Sequence, residues 1–244
     1  SLKLRILDHH DNVVRAADLG TTEHSAIADL CRDTVPIDVV GHRVVHGGHR
    51  FRLPVVVDDD VIDALTQLVP LAPLHQPAAI AGIRAVSAAL PHVTAVACFD
   101  TAFHATIPDA AATYPLPRDW RDRFGLRRFG FHGLSHAYAS RRGPQVAGIA
   151  ARRIVTCHLG AGSSLAAIVD GTGVDTTMGF TPNEGIPMAT RSGSVDVGML
   201  TWLLAAGVTV AELDDGLQHR SGLIGLAGTA DMRMVVERAI AGGG

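Results

Sequence analysis

Apolar positions along the chain fall into two rhythms. An alternation of apolar and polar residues runs through Leu2–Asp8 and, after a turn at Asp8–Asp11, again through Asn12–Leu19, which predicts two strands. Asp38–His46 is strand-like and ends at Gly47-Gly48, and the continuous apolar run Thr94–Phe99 predicts a buried strand with Asp100 just past its end. A helical period appears over 58–69, where aspartates open the pattern, Val61, Ile62, Leu65, Leu68 and Val69 form one face and Pro70 stops it. Pro77–Leu90 repeats that period with Ile80, Ile83, Val86 and Leu90, and Ser25–Cys31 is a shorter helical pattern. Further on, Asp196–Ala206 predicts a helix with Val197, Leu200, Leu203 and Leu204 facing inward. Thr209–Glu212 is a capping box opening another, and Asp231-Met232-Arg233 opens the last. The stretches 71–77 and 102–117 are broken by prolines, and Gly143–Gly148 and Ser221–Gly228 read as turns. The long irregular segment 175–193 is of a length that tends to carry function. No short period repeats, so two α/β halves are the simplest architecture.

One hairpin dominates the second half. Ile154–Cys157 and Leu165–Val169 are apolar runs, and His158-Leu159-Gly160-Ala161-Gly162-Ser163-Ser164 joins them. Glycines let a backbone approach a ligand closely and make positive φ available, and successive N–H groups and hydroxyls there can hold phosphate oxygens. No Gly-Lys-Ser/Thr follows, so this is not a Walker loop; an ordinary glycine hairpin is the alternative.

Composition narrows the class. The 244 residues are 47% hydrophobic and 18% charged, enough for a sizeable core and one or two domains. A net charge of −3 gives no footprint for nucleic acid, and the 13 histidines are scattered without metal-site spacing. No apolar stretch approaches the roughly 18–20 residues needed to cross a bilayer. No signal peptide precedes Ser1, so a cytoplasmic protein is expected. Cys31, Cys98 and Cys157 are far apart and suit buried thiols in a reducing compartment. The chain starts in mid-strand without Met and stops at Gly244 without a closing element, so it reads as a fragment or as lacking pieces.

Some single residues stand out. Arg43 sits inside a strand-like run, where it either points to solvent or projects into a cleft to meet an anion. Asp100, at a strand's carboxyl end, is placed for chemistry in an open α/β sheet or serves as a cap. In Arg127–His136, glycines frame aromatics and two histidines beside two arginines, which leans towards anion binding.

Taken together, these stretches resemble the acetate kinase (acetokinase) family. The matching segments are GHRVVHGG (41–48), LAPLHQP (71–77), FDTAFH (99–104), YPLP (114–117), RRFGFHGLSH (127–136), HLGAG (158–162), DTTMGFTPNEG (175–185), TRSG (190–193) and SGLIGLAG with DMR (221–233). They follow the family's order over nearly the whole chain. The resemblance implies an α/β fold of duplicated actin-like ATPase (ribonuclease H-like) domains with a cleft between them. It also implies reversible, ATP-dependent phosphorylation of acetate to acetyl phosphate, with Mg²⁺, in a homodimer without nucleic-acid or membrane partners. By matching positions, Arg43 and Arg191 would hold the carboxylate and the transferring phosphoryl group. Asp100 would be the essential carboxylate and His132 would stabilise the transition state. Lys3, His158, Leu159, Gly160, Ala161, Gly162, Asp231, Met232 and Arg233 would contact ATP, and Val45, Leu74, Phe131 and Pro182 would line the methyl pocket. An acetate carboxylate is already ionised at pH 7, so Asp100 is expected to orient Mg²⁺, water or an arginine rather than act as a base. The domain division is expected near Asp100–Phe103, giving an N-terminal domain 1–102 and a nucleotide-binding domain 103–244. Arg43 and Asp100 would lie on one side of the cleft, and His132, His158 and Arg191 on the other.

The sequence departs from the family at several points. Ala161 stands where Asn is usual, and Ser194 where Asp is usual. The segment between Lys3 and Arg43 is shorter than the family's. The opening Asn and the later adenosine loop with its metal-side Glu are absent, so the metal ligands are expected to lie in missing ends. Propionate kinase shares nearly all the motifs, and one methylene is worth only about 1–3 kcal/mol of discrimination. A non-catalytic homologue is a third reading, favoured by Ala161 and Ser194 and opposed by the retention of Arg43, Asp100, His132 and Arg191 together. A sugar kinase would need a sugar-binding carboxylate network, which is not evident.

Overall fold

The computed structural model describes residues 2–19, 27, 29–30, 36–73 and 75–242. The chain divides into two compact units, Ser1–Ala102 and Phe103–Gly244.

In the first unit, β1 (Leu2–Leu7) and β2 (Val13–Leu19) form an antiparallel pair, as their alternation predicts. The second sheet places β5 (Thr94–Phe99) between β3 (Val39–Val44), to which it is parallel, and the two-residue β4 (Val55–Val56), to which it is antiparallel. Helix α1 (Asp59–Gln67) starts where Asp58 accepts a hydrogen bond from the Val61 N–H at 2.8 Å, relieving one of the unpaired amides of a first turn. Helix α2 (Gln76–Ala89) carries Ile80, Ile83 and Val86 on its buried side. Val44, Phe51, Leu65, Ile83, Ala97 and Phe99 form the core, with the Phe51 and Phe99 rings stacked 4.9 Å apart. Because β3 and β5 are parallel and in register from Val39↔Thr94 to Val44↔Phe99, both strands end at one edge. The Asp100 N–H continues that ladder by donating to the Val44 carbonyl at 2.9 Å.

In the second unit, β6 (Arg153–Leu159), β7 (Ser163–Val169) and β8 (Thr172–Thr176) form an antiparallel meander. Two short helices, α3 (Asp109–Ala112) and α4 (Arg118–Phe124), precede α5 (Gly133–Ala147), which packs against β6. Phe129, Phe131, Ala166, Ile168, Met178 and Met188 are buried. After the irregular segment come α6 (Val197–Ala205), α7 (Val210–His219), α8 (Gly222–Ala227) and α9 (Met232–Ile240). The capping box is present: the Thr209 hydroxyl accepts from the Glu212 N–H, and the Glu212 carboxylate accepts from the Thr209 N–H.

Several sequence expectations are corrected. Gly143–Gly148 is not a turn but the last turns of α5, which runs through Gly143 and Pro144 before closing at Gly148 with φ +67°. Ser221–Gly228 is likewise helical, bounded by positive φ at Gly222 and Gly228. Of the α6 side chains expected inward, Leu200 and Leu203 are half-buried, whereas Leu204 and Val197, 74% exposed, face out. Cys157 is exposed and Cys98 half-buried, so neither is the buried thiol expected. Most of the Ser25–Cys31 helical pattern, Cys31 and Leu74 lie outside the described residues.

Candidate functional site

The edge where β3 and β5 end carries a charged pair. The Arg43 Nε lies 3.1 Å from each Asp100 carboxylate oxygen, and its Nη2 donates to Oδ2 at 2.6 Å. The Asp100 side chain is 2% exposed and that of Arg43 is 60% exposed, so a buried carboxylate steers a guanidinium whose other face is open to solvent. The hydrogen bond to Asp100 holds Arg43 more firmly charged than usual. Of the roles left open for Asp100, orienting an arginine is the one for which the structure shows contacts. Val45 follows directly on β3 and is half-buried. Lys3 is exposed on β1.

In the second unit the β6–β7 turn meets the start of α5. His132 caps that helix in the left-handed region, φ +56°, a conformation that costs a non-glycine residue energy and recurs at functional positions. Its carbonyl accepts from the His136 N–H at 2.9 Å. The residue before it is tied down as well, because buried His104 donates from Nε2 to the Phe131 carbonyl at 3.0 Å. His132 stacks on His158 with ring centroids 3.9 Å apart, and His158 Nδ1 lies 3.0 Å from the Ser135 hydroxyl.

Gly160 and Gly162 do not use positive φ, contrary to one of the two reasons the sequence offers for them. At Gly162 side chains of other segments stand close to the backbone. A Cβ there would stand 3.4 Å from Arg191 Nη1 and 3.4 Å from His132 Nε2, so a guanidinium nitrogen and a ring nitrogen converge beside this backbone. The Gly160 N–H donates to the Gly162 carbonyl at 3.1 Å and closes the turn. Leu159 and Ala161 are exposed, and the Ala161 carbonyl accepts from the Ala189 N–H, joining this turn to the irregular segment.

Arg191 lies on that segment. Its Nη1 donates to the Pro182 carbonyl at 3.0 Å, and among the described residues no carboxylate pairs with it. Burial lowers its pKa from the ordinary arginine value, as expected for a guanidinium drawn out of water without a counter-charge. The segment is anchored by a cluster that single-residue reading missed. Arg128 donates to Glu184 at 2.8 Å and to the carbonyls of Met178 and Thr177, while the Tyr114 hydroxyl donates to Glu184 and accepts from the Phe180 N–H. Burial, then Glu184, push the Tyr114 pKa up. Ser194 takes part too: its hydroxyl accepts from the Gly185 N–H at 3.1 Å and its N–H donates to the Gly185 carbonyl at 2.8 Å.

Asp231, Met232 and Arg233 are exposed at the start of α9, where the Asp231 carboxylate accepts from the Arg233 N–H at 2.8 Å. Phe131 is buried and Pro182 half-buried. Among the described residues no group of three or more His, Cys, Asp or Glu could hold a metal ion. Sequence reading also missed that Ser164 meets His132 and links it through His136 to Thr156; the spacing of His132 and His136, one helical turn apart, is the signal that was available.

Comparison with known proteins supplies the context. The model of the acetokinase family matches residues 2–242. An acetate kinase from Nostoc punctiforme is 53% identical over 210 residues, covering 85% of this chain and 52% of that protein. One from Thermoanaerobacterium thermosaccharolyticum is 42% identical over 247 residues, covering 99% and 61%. The chain thus spans about half the length of several of the curated relatives it matches. Among solved structures, Porphyromonas gingivalis acetate kinase superposes with a TM-score of 0.83 at 36% identity, covering 99% of this chain and 64% of that one. A propionate kinase from Francisella tularensis gives 0.79 at 40% identity, covering 84% and 53%. The fold is accordingly the α/β actin-like ATPase fold of these kinases, and the chain belongs to the acetokinase family.

Proposed function

We propose that the protein is an acetate kinase, transferring the γ-phosphoryl group of ATP to acetate in a reversible, direct in-line step. The observation that carries the reading is the convergence of Arg191 Nη1 and His132 Nε2 beside Gly162, with no carboxylate paired to the arginine among the described residues. Two donors set on one point suit the equatorial oxygens of a phosphoryl group in flight. An acetate oxygen forms its bond to the γ-phosphorus as the bond to the bridging oxygen of ADP breaks, and no proton has to move. Catalysis is then positioning and charge neutralisation. His158–Gly162 would lie along the ATP phosphates, with Lys3 and Asp231–Arg233 as further nucleotide contacts. Arg43, held by Asp100, would bind the acetate carboxylate through its open face. Val45, Leu74, Phe131 and Pro182 would form the methyl pocket. On this reading residues 1–102 and 103–244 are the two actin-like domains, the second binding nucleotide. The protein works in the cytoplasm as a homodimer, and ATP is taken up as its magnesium complex.

The likeness to a propionate kinase favours one variant of this reading, in which the acceptor is a methylene longer. Purified protein given ATP, magnesium and hydroxylamine, with acetate, propionate or butyrate, tests both. Acyl hydroxamate formed fastest from acetate and lost in Arg191→Ala supports the acetate kinase. Preference for propionate moves the acceptor, and no product from any acid with folded protein rejects the proposal.

A further inference from the structure

His132 sits at one end of a buried hydrogen-bond chain. Its Nδ1 is 2.9 Å from the Ser164 hydroxyl, Ser164 is 2.8 Å from His136 Nε2, and His136 Nδ1 is 2.7 Å from the Thr156 hydroxyl. Ser164, His136 and Thr156 are 0%, 1% and 5% exposed, so they are shielded from bulk solvent. Neither hydroxyl makes a further hydrogen bond among the described residues.

Each hydroxyl has one hydrogen to place, and each neutral imidazole has one N–H and one bare nitrogen. If His136 carried its proton on Nδ1, it would donate to Thr156, and the Thr156 O–H would be buried without an acceptor. If both histidines donated to Ser164, the Ser164 O–H would be stranded in the same way. A buried hydroxyl left unsatisfied is disfavoured. One arrangement uses every hydrogen: Thr156 donates to His136 Nδ1, His136 Nε2–H donates to Ser164, and Ser164 donates to His132 Nδ1. The proton of His132 is then on Nε2, the atom facing Gly162. Burial, and then the neighbouring His104 and His158, lower the His136 pKa to about 4, in keeping with a neutral ring.

We infer that the Thr156–His136–Ser164 chain locks His132 as the neutral Nε2–H tautomer, so that it presents a fixed hydrogen-bond donor without having to be an imidazolium. Resting on the kinase reading above, this makes Thr156, His136 and Ser164 positioning residues for the donor that would meet the phosphoryl oxygens. The groups facing His132 agree. His158 stacks on it from β6, neutral His136 reaches it through Ser164, and Arg191 stands across Gly162, where a cation disfavours a second positive charge.

The direct test is nitrogen-15 NMR of the histidine rings in the unaltered protein between pH 6 and 8. The Nε2–H pattern is expected for His132 throughout; an Nδ1–H pattern or an imidazolium overturns the inference. Ser164→Ala should mix the tautomers, free the ring to turn and lower kcat by less than about 10-fold with little change in KM. The lost activity should recover towards acid pH as His132 gains a proton of its own, and Ser164→Thr should restore the hydroxyl and the rate. A fall in kcat with the wild-type pH profile and tautomer would show a merely structural serine and overturn the proposal. His136→Gln provides a second variant should Ser164→Ala fail to fold. Absence of acyl phosphate in the unaltered protein would reject the kinase reading alone, because the NMR result does not depend on turnover.

Discussion

Arg43 and Asp100 face each other across the carboxyl ends of parallel strands β3 and β5, the carboxylate inside the fold and the guanidinium largely outside. The pair is asymmetric, and so are the consequences of breaking it. Arg43→Ala leaves a buried carboxylate without its partner and should cost roughly 2–3 kcal/mol of stability. Asp100→Asn frees an arginine that solvent can reach and should cost less, on the order of 1 kcal/mol. Urea denaturation of the two variants checks the order. Both should depress acyl-phosphate formation, Asp100→Asn because the guanidinium loses its fixed direction.

At Gly162 neither backbone conformation nor packing demands a glycine; a side chain would instead occupy the space between Arg191 and His132. Gly162→Ala places a methyl in ordinary contact with Arg191 and His132 without forcing a left-handed residue. Thermal unfolding should change by no more than about 0.5 kcal/mol. Acyl-phosphate formation should fall on the order of 10²-fold, because the methyl takes the point on which both donors converge. A large loss of stability would show that the glycine serves the fold.

Gly179 gives the opposite contrast. A Cβ there would run into the Glu184 carboxylate and the Tyr114 hydroxyl, which are already held by Arg128 and by the Phe180 amide. Gly179→Ala should therefore destabilise by about 3 kcal/mol. Tyr114→Phe, which leaves Glu184 its arginine, should cost about 1 kcal/mol. Calorimetry of the two variants tests the ranking.

Burial lowers the pKa values of His46, His104 and His136 to about 4 from an ordinary 6.5. Between those values the unfolded chain takes up protons that the folded protein does not. Stability should be full above pH 6.5 and decline as pH falls towards 4, by up to about 3 kcal/mol for each histidine. Denaturation midpoints measured from pH 7.5 to 4.5 should show this loss. His104→Gln, which cannot titrate, should have a shallower slope.

Much of the architecture was legible because it is local. Alternation marked β1 and β2, Asp58 and Thr209 marked helix starts, and the run Thr94–Phe99 marked the strand that delivers Asp100. The ordered motifs identified the family and nominated Arg43, Asp100, His132 and Arg191, because each lies within a short recognisable segment. Relationships between distant segments were not legible. Helix α5 runs on through Gly143 and Pro144, although both are local breakers and its buried residues, Gly133, His136 and Ser140, lie in its earlier turns. Apolar composition alone pointed the side chains of α6 inward, whereas burial depends on which surface covers them.

The sequence by itself determined the residue types of the site and the glycines between them. Only the tertiary structure brought Arg191 and His132, from other segments, to either side of Gly162. It alone joined Ser164, His136 and Thr156 to His132. A hydrogen bond depends on distance in space, and residues 20 to 32 positions apart reveal no such distance until strands and helix have packed.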